Sequence, residues 1–185
     1  GCGSLEQMEQ DFPFEGAYQT WCDTERNVDV VDVYDGDTIT LSTAEKIRFL
    51  GAAAPEVSPP ECYGDVSADF LRELILDQEV RLQFDVECED IYQRTLSWVF
   101  LDGSDAVVAS LMEEYSISGL QSDGSYNLLV NEMLIRMGYA KIFRGDVAEN
   151  IRYTDRLENA EEEAKEEGKK LLCKLKMIIP FLPSL

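Results

Sequence analysis

Three short β-patterned segments joined by tight turns, followed by a helix, succeed one another between Val28 and Ile75, and that order constrains the fold more than any other feature of the chain. Val28 to Val33 alternates β-branched residues with aspartates, so one face can be buried while the other meets water. Asp35-Gly36-Asp37 is a turn signal of the kind that joins hairpin strands. Thr38 to Leu41 and Lys46 to Leu50 read as the next two strands. Ser58-Pro59-Pro60-Glu61 forces a loop. Beyond it, Asp65 is placed as the N-cap of a helix with Phe70, Leu71, Leu74 and Ile75 on one face. Glu79 to Phe84 and Thr95 to Leu101 alternate or run apolar and give two more strands.

Further along, Asn131 is placed as the cap of a short helix with Leu134 and Ile135 inward, ended at Gly138. The last helix runs from about Thr154 to Lys170, with Leu157, Ala160, Ala164, Gly168 and Leu171 as its apolar stripe. Glu161–Lys165 and Glu166–Lys170 are its i,i+4 pairs. The pattern by itself supports an α+β fold. Five strands with one helix between the third and fourth, and about three α-helices in all, suggest a small closed OB-fold β-barrel. Residues 103–127, Gly- and Ser-rich around the apolar run from Ala106 to Met112, read as an insertion between the last strand and the Asn131 helix. Residues 1–24 read as an N-terminal arm or linker, 25–176 as one domain, and 177–185 as an apolar tail broken by prolines and too short to span a membrane.

Composition narrows the chemistry. The 185 residues carry 37 acids against 16 bases, a net charge of −21, and no histidine. Without histidine the usual imidazole acid–base chemistry and the commonest transition-metal ligand are gone, while hard cations held by oxygen remain available. So acidic a chain is a poor candidate for sequence-independent nucleic-acid binding, which needs phosphate neutralisation, although an enzyme requires only a local positive focus. Cys2, Cys22, Cys62, Cys88 and Cys173 show no CxxC spacing, which argues against zinc and fits two disulfides in an oxidising compartment. Gly1-Cys2-Gly3-Ser4 fits the remnant of a lipoprotein processing site, which makes Cys2 a lipidation candidate. The expectation is an extracytoplasmic protein, secreted or attached to a membrane through a lipid on Cys2, and a monomer.

The chemistry-bearing residues fall in three separated segments: Asp35-Gly36-Asp37-Thr38, Arg48 with Pro55-Glu56, and Asp90-Ile91-Tyr92-Gln93-Arg94. Phosphodiester hydrolysis needs an in-line water, charge stabilisation on the phosphate oxygens, and a metal or cationic clamp. Asp37, at a tight turn, is a reasonable metal carboxylate. Arg48 and Arg94 can each bind phosphate oxygens in a bidentate manner that lysine cannot match. Glu56 can orient or deprotonate the water, and Tyr92 can bond a phosphate or stack on a base. Singly, each has an ordinary reading: a hairpin turn, solvated arginines, a loop Pro-Glu step. Together, in this order and spacing, they point to a phosphodiesterase.

At these residues the chain resembles the staphylococcal nuclease (thermonuclease) family. The likeness rests on Val30-Val31-Asp32-Val33-Tyr34-Asp35-Gly36-Asp37-Thr38, on Ile47-Arg48-Phe49-Leu50-Gly51 leading to Ala54-Pro55-Glu56, and on Asp90-x-Tyr92-x-Arg94-x-Leu96. It continues through Cys62-Tyr63-Gly64, the run from Val130 to Lys141 and the last helix, and so spans roughly residues 27–173. The resemblance implies an OB-fold barrel and calcium-dependent cleavage of DNA and RNA that leaves 3′-phosphates. It makes Asp37 a calcium ligand, Ala54 a backbone-carbonyl ligand, Arg48 and Arg94 the phosphate-binding catalytic arginines, Glu56 the general base and Tyr92 a nucleotide contact. It suggests the pairings Cys22–Cys88 and Cys62–Cys173, out of the three that four cysteines allow.

Departures from the family pattern are as informative. Ala53 stands where the family has a second calcium-ligand aspartate, leaving Asp35 and Glu56 to compensate and lowering the expected affinity for Ca2+. Arg144 stands near a nucleotide-stacking tyrosine position, so base contacts there differ. Two functions follow as alternatives: a calcium-assisted nuclease acting through Asp37, Glu56, Arg48 and Arg94, or a metal-impaired nuclease-fold module that binds nucleic acid or a protein partner.

Overall fold

β1 (Arg26–Asp35) belongs to two sheet surfaces at once, and this is what lets five strands close on themselves. Its first half pairs antiparallel with β5 (Glu79–Gln83), Arg26 opposite Leu82 and Asp29 opposite Glu79. Its second half pairs with β2 (Thr38–Leu41), with irregularities between Val30 and Asp32 and between Val33 and Asp35. An extra residue bends a strand and strengthens its twist, so β1 turns a corner here, and its buried residues Val30, Val33 and Asp35 depart from strict alternation. The computed structural model describes Cys22 and residues 24–102, 108–110, 113, 128–144 and 152–168.

β2 pairs with β3 (Lys46–Phe49), and β5 with β6 (Thr95–Leu101), both antiparallel. The ring closes where β3 meets β6 in parallel, with Ile47 opposite Thr95, Arg48 opposite Leu96 and Phe49 opposite Ser97. The order is therefore β1-β2-β3-β6-β5 and back to β1, the closed five-stranded barrel of an α+β OB fold. Three two-residue strands that have too little length to show a period accompany it: β4 (Ala52–Ala53), β7 (Leu128–Leu129) and β8 (Lys141–Ile142). β7 pairs antiparallel with the end of β6, and β4 pairs antiparallel with β8.

Val30, Ile39, Leu41, Ile47, Phe49, Leu82, Trp98 and Phe100 are buried in the hydrophobic core, each contributing ~1.5–3 kcal/mol. The helix α1 (Gly64–Ile75) adds Leu71 and Ile75 to that core, while Phe70 stacks on Tyr139 with ring centroids 4.2 Å apart. Asp65 does not cap α1: Tyr63, in the left-handed region at φ 72, holds the cap position without a side-chain bond, and Asp65 lies in the first turn. There its charge still favours the positive helix end.

α2 (Val130–Arg136) likewise lacks the expected cap. Leu129 precedes it, and Asn131 lies inside the helix, fully buried. Its Nδ2 donates to the carbonyls of Leu50 (2.8 Å) and Ser97 (3.4 Å), and its Oδ1 accepts from the Val99 N–H (3.0 Å). Asn131 thus ties the helix to both strands of the parallel seam, where an unsatisfied backbone group would cost ~1–3 kcal/mol. α3 (Thr154–Glu166) stops earlier than its pattern suggests, because Gly168 adopts φ +71 and closes the end rather than continuing the stripe. Lys170 and Leu171 lie outside the described residues. Buried Glu132 of α2 bonds Arg136 on its own helix and Arg156 of α3, and Arg136 also meets Glu163 of α3.

Cys22 and Cys88 form a disulfide that fastens the chain before β1 to the β5–β6 connection. Cys62 is also disulfide-bonded. Cys173, the partner suggested for it, lies outside the described residues, as do Cys2, the tail 177–185, and all of the arm 1–24 except Cys22 and 24. Within 103–127 only residues 108–110 and 113 are described, and they are helical with Val108 buried. Among the described residues no helix is long and apolar enough to cross a membrane.

At one turn space decides the residue type. A Cβ on Gly36 would lie 1.9 Å from Ser67 Oγ, 2.7 Å from Ser67 Cβ and 2.7 Å from Ala54 Cβ. The Asp35–Thr38 turn therefore packs directly on α1 and on the loop after β4. Gly36→Ala is expected to destabilise the protein by ~1–3 kcal/mol through overpacking, a fall in Tm of about 2–10 °C. An unchanged Tm in a calorimetric scan would refute that packing.

Candidate active site

The parallel seam sets the site. Arg48 stands opposite Leu96 on β6, two residues beyond Arg94, and opposite Thr38 on β2, one residue beyond Asp37. Three segments that are far apart in sequence thereby converge on one end of the barrel. The Asp35-Gly36-Asp37 turn is held by its own side chain, since Asp35 Oδ1 accepts the Asp37 N–H at 3.0 Å.

Asp37 is 4% exposed and fully engaged. Its Oδ1 accepts from Thr38 Oγ1 at 3.0 Å and meets Arg48 Nη1 at 2.9 Å; its Oδ2 accepts the Ala54 N–H at 2.5 Å. Burial pushes the Asp37 carboxyl up to about 7, against the opposing pull of Arg48 and with a further push from Asp35. The neighbouring guanidinium thus falls short of compensating the negative charge that folding places here.

Arg48 spends only Nη1 on the protein: on Asp37, on the Ala52 carbonyl at 2.7 Å and on the Phe49 carbonyl at 3.2 Å. Its Nη2 and Nε have no protein partner among the described residues, and the side chain lines a cleft of about 780 Å³. Arg94 lines the same cleft. Its Nε and Nη2 each bond Asp90 Oδ2 at 2.6 Å, and its Nη1 reaches Thr38 Oγ1 at 3.4 Å. Each Nη nitrogen carries a second N–H that these bonds leave unused.

Asp90 is the residue that the sequence left without a role. It organises the Asp90–Arg94 turn by accepting the Tyr92 N–H (2.8 Å) and the Arg94 N–H (3.0 Å), with Gln93 in the left-handed region at φ 62. Burial opposes its ionisation, but the bonds from the Arg94 backbone and side chain and from the Tyr92 backbone outweigh it and hold the carboxyl below its ordinary value of 3.8. The signal for this role was present in the carboxylate four residues before the arginine. The Arg94 guanidinium carbon stands 5.3 Å from the Tyr92 ring centroid, and Tyr92 is 72% exposed at the cleft rim.

Glu56 faces the same cleft with its backbone pinned to Glu61, N–H to Oε2 at 3.1 Å and carbonyl to the Glu61 N–H at 2.8 Å. Gly64 makes this possible: a Cβ there would lie 2.3 Å from the Glu56 carbonyl oxygen. Sequence reading singled out Gly64 only as part of a motif. Arg144 also lines the cleft, with Nη2 bonded to Glu161 at 2.8 Å.

The donor set fits a hard cation, though sparsely. Asp35 and Asp37 place two buried carboxylates in one turn, and the raised Asp37 pKa marks negative charge that a cation would relieve. Thr38 adds a hydroxyl to the same cluster. Ala53, on β4 opposite Lys141, adds no side-chain oxygen. Ala54 meets Asp37 through its N–H rather than its carbonyl. Among the described residues no group of three or more Asp, Glu, Cys or His gathers into a ready-made metal cage.

Residues 46–172 match the family model described as Staphylococcal nuclease homologue. The chain is 28% identical to a protein named Thermonuclease from Staphylococcus hyicus over 171 residues, covering 88% of this chain and 84% of that protein. A protein named Thermonuclease from Staphylococcus intermedius is 37% identical over 76 residues, 37% of this chain and 45% of that protein.

Proposed function

The chain belongs to the staphylococcal nuclease family, and on that premise we propose that it hydrolyses phosphodiester bonds of DNA and RNA with the help of Ca2+, leaving 3′-phosphates. The observation that carries this reading is the β3–β6 seam, which sets Arg48 and Arg94 side by side on one cleft that Glu56 also lines. Unspent N–H groups on the two arginines take the non-bridging phosphate oxygens, whose charge grows as the attacked phosphorus becomes pentacovalent. Glu56 accepts a proton from a water attacking in line. The bond from phosphorus to the 5′-oxygen breaks, the leaving oxygen takes a proton from solvent, and the phosphate stays on the 3′ side. Asp90 positions Arg94, and Tyr92 and Arg144 contact the nucleotide.

Asp37, Asp35 and the Ala54 carbonyl are the groups that would hold calcium, with waters completing the six to eight oxygens it prefers. The bound ion would supply electrostatic stabilisation of the phosphate oxygens. The Cys22–Cys88 disulfide supports an oxidising, extracytoplasmic setting, secreted or anchored through a lipid on Cys2, for a monomeric enzyme.

One observation favours a second reading, a module that binds nucleic acid or a protein partner without efficient catalysis. Arg48 occupies Asp37 Oδ1, and Ala53 withholds a carboxylate from the metal side. The end chemistry separates the two. A labelled single-stranded oligonucleotide, as DNA and as RNA, is incubated with the protein and millimolar calcium, and the products are treated with a 3′-phosphatase. Fragments whose mobility shifts on that treatment are expected. Fragments bearing 3′-hydroxyls, or intact strands, would contradict the proposal.

A further inference from the structure

The charges along the cleft run opposite to those of a polyanion-binding groove. Among the described residues its lining contains three arginines and five acids. Each arginine is already bonded to a carboxylate: Arg48 to Asp37, Arg94 to Asp90 and Arg144 to Glu161. Glu89, on the connection entering β6, and Glu158, on α3, add carboxylates to the cleft lining from two separate elements, in a chain of net charge −21. Arginines that serve one phosphate would leave the neighbouring phosphates of a longer strand among carboxylates such as Glu89 and Glu158.

We propose that Glu89 and Glu158 are specificity-determining residues that make the cleft discriminate by charge, favouring substrates with few phosphates at low salt and admitting polynucleotides only as salt screens the cleft. This deepens the nuclease reading and rests on it. An ordinary nucleic-acid-binding surface gains affinity by releasing counterions and loses it as salt rises, with a log–log slope of roughly −0.7 per phosphate contact on single strands. Here the long-range contribution is repulsive and is removed as the screening length falls from about 10 Å at 0.1 M salt to about 3 Å at 1 M. The sign of the salt effect is therefore reversed. The short-range arginine contacts survive, because they are partly buried and direct.

The experiment compares a nucleoside phosphodiester of p-nitrophenol, which carries a single phosphodiester, with a 20-nucleotide single strand, between 50 mM and 1 M NaCl at fixed calcium. For the strand, kcat/KM is expected to rise on the order of tenfold, while that of the small ester changes less than twofold. In Glu89→Gln/Glu158→Gln the strand is expected to be cleaved several-fold faster at 50 mM NaCl, with a flattened salt response and unchanged ester hydrolysis. A strand rate that falls with salt, or a salt slope unaltered by the double substitution, overturns the proposal. Fluorescence anisotropy of the labelled strand gives a readout independent of turnover. Tighter binding at 1 M than at 50 mM NaCl supports the charge filter even where no hydrolysis occurs, an outcome that would count against the nuclease reading alone; weaker binding at high salt overturns the filter.

Discussion

Arg94→Ala is expected to lower kcat/KM for phosphodiester cleavage by about 10³-fold or more, with Tm shifted by only a few degrees. An arginine that stabilises phosphoryl transition-state charge typically contributes factors of this size. Among the described residues the Arg94 side chain meets Asp90, Thr38 and the Tyr92 ring and no core apolar group, so its loss leaves the apolar core untouched. Arg48→Ala is expected to be as severe, with a larger structural effect, because Arg48 also bonds the Ala52 and Phe49 carbonyls and offsets Asp37. Arg48→Lys keeps a positive charge but loses the planar fork, and is expected to recover Tm more than rate. Initial rates on a fluorogenic oligonucleotide, read beside thermal melts, separate the two effects. Wild-type rates in either alanine variant would remove that arginine from the site.

Ala53→Asp carries the second large effect. The substitution puts a carboxylate next in sequence to Ala54, whose N–H meets Asp37, and calcium affinity is expected to rise by at least the ~10–100-fold associated with disturbing groups that merely support metal ligands. Titration calorimetry measures that affinity directly. The stability consequence changes sign with the metal. Without calcium, a third carboxylate joins a cluster in which burial and Asp35 already push Asp37 up to about 7, so the variant is expected to melt below the parent. With calcium at about 100 times its Kd, binding adds ~2.7 kcal/mol to the folded state, and the order is expected to reverse. Equal affinities and parallel melting curves would show that position 53 does not face the metal loop.

The barrel was legible because its strands carry their own punctuation. β2 and β6 begin and end where the β-branched and aromatic runs do, and the Asp35-Gly36-Asp37 turn forms the hairpin that its composition signals. β4, β7 and β8, of two residues each, owe their existence to tertiary pairing and left no local pattern. Asn131 shows the limit of capping signals, since the same amide that can cap a helix here satisfies three backbone groups across the barrel seam. Asp65 likewise yielded the cap position to the left-handed Tyr63. The residue types of the candidate site were legible, but its long-range partnerships were not. That Arg48 grips Asp37 depends on the β2–β3 register, and that Arg94 joins the same cleft depends on the parallel β3–β6 pairing, neither of which a single segment encodes; the grip of Asp90 on Arg94 is local and was signalled by its spacing. Glu89 and Glu158 acquire significance only once two distant segments line one cleft.

Whether the site turns over is tested most directly by steady-state hydrolysis of single-stranded DNA by the unmodified chain, with calcium titrated from 10 μM to 30 mM and EDTA as the blank. Expected is saturable, EDTA-sensitive cleavage that reaches half its maximum only at high calcium, with Ala53→Asp saturating at markedly lower concentration. No cleavage by the unmodified chain at any calcium level, alongside vigorous cleavage by Ala53→Asp, would show that the fold is intact and the unmodified site does not catalyse, and would contradict the reading of this protein as a working nuclease.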